Sequence, residues 1–206
     1  MHHHQLPSKR AWGLFALILL SASLILWAAP AEQTLGSGIT SVYLHVSLIW
    51  AGMTGLVVAG LLGLLLLITG RDSLQSWTLH IAWIGLAFYA AGFAMSVLAS
   101  IVNWGGVFWQ EPRNVTAFNV MGLTLIVQIV IGWLPQPRLR GLLHMLPAGF
   151  LIYATLITPL VLHPGSAARS SPSLAIQATF LSLFFLCALA AAWLVWHWSR
   201  PTPKPR

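Results

Sequence analysis

Six apolar stretches, separated by short polar connections, constrain this chain more than any other feature. A helix needs about 20 mostly apolar residues to cross the hydrocarbon core of a bilayer. The sequence offers such runs near 11–29, 46–69, 78–101, 115–134, 142–162 and 173–196. Of its 206 residues 58% are hydrophobic and only 6% charged, a balance foreign to soluble domains of this length. Backbone groups in lipid must be satisfied within the spanning structure, by helices or by a closed barrel. Leu, Ala, Gly and Val fill these runs without the two-residue alternation of barrel strands. The expectation is an all-α integral membrane protein: a single domain over 1–206 forming a six-transmembrane-helix bundle.

Arg and Lys orient such a bundle, because they accumulate on the cytoplasmic side. With the N-terminus in the cytoplasm, Lys9, Arg10, Arg71, Arg138, Arg140, Arg200, Lys204 and Arg206 fall inside, and only Arg113 and Arg169 fall outside. An even helix count returns the C-terminus to the same face, so both termini are expected to be cytoplasmic. The formal net charge of +7 is then a topogenic signal that also suits anionic headgroups of the lipid bilayer. No soluble segment combines a basic stripe with interleaved aromatics, so no nucleic acid is expected as a partner. Ala28-Ala29-Pro30-Ala31 after the first run resembles a leader cleavage context. The run is longer than the apolar core of a leader and reads as a retained helix.

Several function classes are disfavoured by what the spans lack. Asp and Glu total 3, and Glu32, Asp72 and Glu111 all lie away from span centres, which disfavours ion-coupled transport through a buried carboxylate. There is no phosphate-binding glycine loop, no H-E-x-x-H and no G-x-S-x-G. The lone cysteine, Cys187, sits within the sixth run and reads as a small buried apolar residue. Without a C-x-x-C-H the chain has no covalent haem attachment of its own.

The predicted outer connections are 30–45, 102–114 and 163–172; the inner ones are 70–77 and 135–141. The outer set holds the unusual residues. His45, in VYLHVSLIW, precedes the second run, and His163, in LVLHPG, follows the fifth. A single interfacial histidine is ordinarily an amphipathic anchor. Two at the same face and matching depth suit the two axial positions of a haem iron. Between them runs Trp104-Gly105-Gly106-Val107-Phe108-Trp109-Gln110-Glu111-Pro112-Arg113. Tryptophans belt membrane interfaces by default, but here rings and glycines crowd one short loop. Trp104, Phe108 and Trp109 offer apolar faces to a flat macrocycle, and Gly105 with Gly106 allows close backbone approach. Arg113 and Arg169, the two outer cations, flank the candidate site and suit propionates. His80, His144 and His197 fall near inner ends and read as interfacial polar residues, or as an inner haem site. Tyr153, Thr155 and Thr158 read as interhelical hydrogen bonders.

At these residues the chain resembles the CcmC family of cytochrome c maturation, haem-handling proteins with a tryptophan-rich outer loop. Tyr43-Leu44-His45-Val46, then Trp104-Gly105 with Trp109, Glu111 and Arg113, then Leu162-His163 match its three motifs in order. The sequence departs from the family pattern at Ser47, where Pro is usual, at Val107 and Phe108 in place of tryptophan, and at Glu111 in place of Asp.

The resemblance implies haem b held noncovalently at the periplasmic face of the cytoplasmic membrane by His45 and His163. The Trp104–Arg113 loop would cradle it, and Glu111 would take the family's acidic position. The haem would pass to a CcmE-type haem chaperone working beside the ABC transporter subunits of the maturation system. The expected role is haem delivery rather than conventional enzymology. Two other readings stay open from the residues alone: a b-type electron-transfer membrane subunit, with haem between helix-borne histidines such as His80 and His144, and a cofactor-free accessory subunit of a larger membrane complex.

Overall fold

The computed structural model describes residues 9–159, 161 and 171–199. Among them are six helices: α1 Lys9–Trp27, α2 Ile39–Thr69, α3 Asp72–Trp104, α4 Pro112–Trp133, α5 Pro137–Ile157 and α6 Leu174–Ser199. Five of these, α2 to α6, are long and apolar enough to cross a membrane, and α1 carries a shorter apolar stretch, Trp12–Trp27. No strand forms among the described residues; the sole bridge pairs Glu32 with Gly36 in a tight turn. The fold is all-helical, as a chain with no strand-like alternation requires.

Successive helices run antiparallel. One end of the bundle, the tryptophan end, gathers the 28–38 connection and the α3–α4 loop. The other, the arginine end, gathers Arg71 before α3 and Arg138 and Arg140 in the first turn of α5. The chain alternation inferred from the apolar runs is therefore present. At the tryptophan end Tyr43, fully buried, donates its hydroxyl to Pro30 O at 3.0 Å and packs edge-on to Phe180, ring centroids 4.6 Å apart. At the arginine end Trp77 lies against Trp196 and Trp12 against Trp193, which fixes α6 beside α3 and α1.

Among the described residues α2 is the axis of the bundle, with α1, α3, α5 and α6 around it, while α4 packs on α3 and α5. Small residues set these seams. A Cβ placed on Gly55 would lie 2.9 Å from Gly85 Cα, and one on Gly63 would lie 2.7 Å from Gly141 O. Such backbone-to-backbone approach gives dispersion contact where lipid offers no hydrophobic drive to association. Against it pack the buried Leu56, Tyr89, Phe93, Val120 and Leu151, one continuous apolar core through α2–α5.

Several boundaries differ from the sequence expectation; α5, for one, begins at Pro137 rather than 142. Helix α2 begins at Ile39 rather than near 46, because nothing between Gly38 and His45 breaks a helix and Ser41 bonds its own turn, Oγ to Gly38 O at 2.7 Å. Helix α3 begins at Asp72 rather than 78. Gly70, at φ 64, reverses the chain in a left-handed cap, so the polar DSLQSW continues as helix. Helix α5 ends at Ile157 rather than 162, because Pro159 lacks the amide that would extend it and forces Thr158 to an extended ψ of 121. The connections are shorter accordingly: 28–38, 105–111, 70–71 and 134–136, in place of 30–45, 102–114, 70–77 and 135–141.

Candidate functional site

The α3–α4 loop is built by local hydrogen bonds. Gly105, at φ 74, ends α3 as a left-handed cap, with its amide donating to Ile101 O at 3.0 Å. That left-handed conformation favours glycine at 105, and a Cβ there or on Gly106 would meet no protein atom within 4 Å. A turn follows, Glu111 N donating to Phe108 O at 3.0 Å, and Asn114 reaches back to the same carbonyl through Nδ2 at 2.9 Å. Pro112 then opens α4, where its missing amide costs nothing. Glu111, 4% exposed, accepts the Asn114 and Val115 amides on its carbonyl.

This locked loop holds its rings outward. Trp104, Phe108 and Trp109 are 48, 50 and 55% exposed. An open groove of about 450 Å³ is lined by Phe108, Trp109, Gln110, Glu111, Pro112 and Val161. Its volume lies within the ordinary range for small-molecule sites. Trp104, Gly105 and Arg113 border the loop without lining the groove. Arg113 is half-buried, and its Nε is buried without a hydrogen bond among the described residues.

His45 belongs to α2 rather than to the connection before it. The ring is half-buried, and its Nδ1 lies 2.8 Å from Gly92 O on α3. A carbonyl only accepts, so Nδ1 carries the proton and the lone pair sits on Nε2 (the tautomer is fixed by that contact). This is the arrangement by which ligating histidines are commonly oriented. Gly92 makes the approach possible: a Cβ there would lie 2.6 Å from Ile49 N. From this point packing continues toward the groove. The next residue, Phe93, meets Phe118 at 4.6 Å, and Phe118 meets Trp109 at 6.3 Å.

His163 and Arg169 lie outside the described residues. Val161, two residues before His163, lines the groove with Phe108 and Trp109. The structure thus brings the end of the α5 segment to the tryptophan loop, with α5 and α4 held together there by Thr116 Oγ1 and Thr158 Oγ1 at 2.8 Å. Thr158 is an interhelical hydrogen bonder as expected; Tyr153 is 60% exposed and points out of the bundle. At the arginine end His80 Nδ1 lies 2.9 Å from Ser199 Oγ, His197 stacks on Trp193, and His144 is 2% exposed.

Asn103 is a positioning residue that sequence reasoning missed. Its Nδ2 reaches Gly38 O and Ser41 Oγ at 3.2 Å and Ala99 O at 2.9 Å, tying the start of α2 to the end of α3. An amide at the end of an apolar run was the available signal. Gln110 and Pro112 belong to the loop the sequence marked, whereas Val161 joined the groove only through tertiary folding. Among the described residues no group of three or more His, Cys, Asp or Glu side chains is placed to hold a metal ion. Compared with known proteins, the chain matches no family model and no curated protein.

Proposed function

We propose that this chain is a multi-pass protein of the cytoplasmic membrane that binds haem b noncovalently at the tryptophan end and delivers it onward for cytochrome c maturation. The observation that carries the reading is the 2.8 Å contact of His45 Nδ1 with Gly92 O, which orients the imidazole within the tryptophan half of the bundle. The donor set suits haem. Imidazoles from His45 and His163 would fill the two axial positions. Phe108 and Trp109 would lie against the macrocycle, with Trp104, Gly105 and Glu111 completing the loop. Arg113 and Arg169 would meet the propionates, and the buried Arg113 Nε, without a hydrogen-bond partner among the described residues, favours that assignment. Bound haem would supply an iron centre; the chain's own part is ligation, orientation and release. An open groove with half-exposed rings suits a cargo that must leave more than it suits a permanently buried redox centre.

In this reading all six helices cross the membrane, with both termini cytoplasmic. The gathering of Arg71, Arg138 and Arg140 at one end supports that orientation. The resemblance to the CcmC family supplies the acceptor class, a membrane-anchored CcmE-type haem chaperone, and the ABC transporter subunits as neighbours.

The test is the absorption spectrum of detergent-purified protein with added hemin, for wild type, His45→Ala and His163→Ala. Low-spin bis-histidine bands in the wild type, lost in both variants, are expected. Bands unchanged in both variants would move the haem to His80 and His144 and favour an electron-transfer subunit. No uptake by the wild type would leave a cofactor-free accessory subunit.

A further inference from the structure

The α4–α5 hairpin carries a second polar cluster, toward the arginine end and remote from the groove. Gln128 is 3% exposed and His144 2% exposed. Both amide atoms of Gln128 and Nε2 of His144 are buried without a hydrogen-bond partner among the described residues. A third group belongs with them. Pro147 lies inside α5, and with no amide hydrogen it cannot donate to the Leu143 carbonyl one turn earlier.

These groups share one level. The Thr116–Thr158 contact fixes the register of the two antiparallel helices. Twelve residues along α4 from Thr116 is Gln128; twelve back along α5 from Thr158 is Leu146. Pro147 and His144 are one and two residues from that point, within about 3 Å along the axis. Among the described residues α4 packs chiefly on α3 and α5, so a buried Gln128 faces the interior those helices share. On its other side His144 abuts α2, where a Cβ on Gly63 would lie 2.8 Å from His144 Cβ. That seam has no room for a large ligand.

We infer that one or two water molecules are bound between α4 and α5, bridging the Gln128 amide, His144 Nε2 and the Leu143 carbonyl. Water is both donor and acceptor, as an amide, an imidazole and a carbonyl together require, and buried waters make about three hydrogen bonds to groups of this kind. Ordered water is also one way in which spanning helices tolerate an internal proline. The site gives the hairpin a polar tie far from Thr116–Thr158, so both ends of the α4–α5 pair are fixed. It does not depend on haem binding.

Two measurements test it. In wild-type protein with ¹⁵N-labelled histidine, reconstituted in lipid, water-edited solid-state NMR is expected to show polarisation transfer from bound water to the His144 ring, assigned by its loss in His144→Phe. Absence of transfer to that ring overturns the inference. Thermal unfolding of Gln128→Leu in detergent supplies a sign. A bridged amide predicts a Tm lowered by about 2–4 °C; an amide with unmet hydrogen bonds is better replaced by an apolar side chain, so an unchanged or raised Tm also overturns it.

Discussion

Replacing Gly92 by alanine sets a methyl group against the backbone of α2. The new Cβ would lie 2.6 Å from Ile49 N, 2.8 Å from Ile49 Cγ1 and 3.1 Å from Ile49 Cα. The side-chain atom can rotate away, but the backbone nitrogen sits within a helix and moves only with it. Ordinary contact begins at 3.4 Å, so α2 and α3 must part locally by about 0.8 Å. Overpacking of this kind costs about 1–3 kcal/mol. The same movement stretches the 2.8 Å contact of His45 with Gly92 O, an interhelical hydrogen bond worth about 0.6 kcal/mol in a membrane. Alanine returns about 1 kcal/mol of helix propensity. The net loss is about 0.6–2.6 kcal/mol, or a Tm lower by about 1–10 °C for a chain of this size. Gly122→Ala is the control, since a Cβ there meets nothing within 4 Å; it keeps the propensity gain and is expected to leave Tm unchanged or raised. Thermal unfolding in detergent, followed by tryptophan fluorescence, compares the two. Equal behaviour of the two variants, or Gly92→Ala at or above wild type, would refute the close α2–α3 seam and with it the restraint on His45.

Two further predictions concern the tryptophan end. Asn103→Leu removes contacts to Gly38 O, Ser41 Oγ and Ala99 O; Tm is expected to fall by about 2–6 °C, and hydrogen exchange at the first turn of α2 to quicken, with unchanged exchange there counting against the anchor. Glu32 accepts hydrogen bonds from the Thr34 hydroxyl and the Thr34 and Leu35 amides, and these hold its carboxyl below the usual 4.5. A depressed folded-state pKa stabilises the 32–36 turn above pH 4.5 and loses that contribution as pH falls through the lowered value. A ¹³C titration of Glu32 with its midpoint at or above 4.5 would contradict this.

The division between sequence and tertiary structure is visible residue by residue. The apolar runs determined an all-helical bundle, because long stretches of Leu, Ala, Val and Gly without two-residue alternation have no other way to satisfy their backbone. The distribution of Arg71, Arg138 and Arg140 marked one end of it, since each sits in a connection or a first helical turn. The loop from Trp104 to Arg113 was legible as a concentration of rings and glycines in a short polar segment.

Helix ends were less legible, for local reasons: Gly70 turns the chain in two residues, and Pro159 stops α5 before its apolar run is exhausted. What only the tertiary structure decided is pairing. Helix packing set His45 against the Gly92 carbonyl, Asn103 against the start of α2, and Val161 beside Phe108 and Trp109. Each pairing depends on how closely two helices approach and in what register. That is fixed by glycine and alanine on facing surfaces and by contacts such as Thr116 with Thr158, which join residues far apart in the chain and leave no periodic trace along either helix.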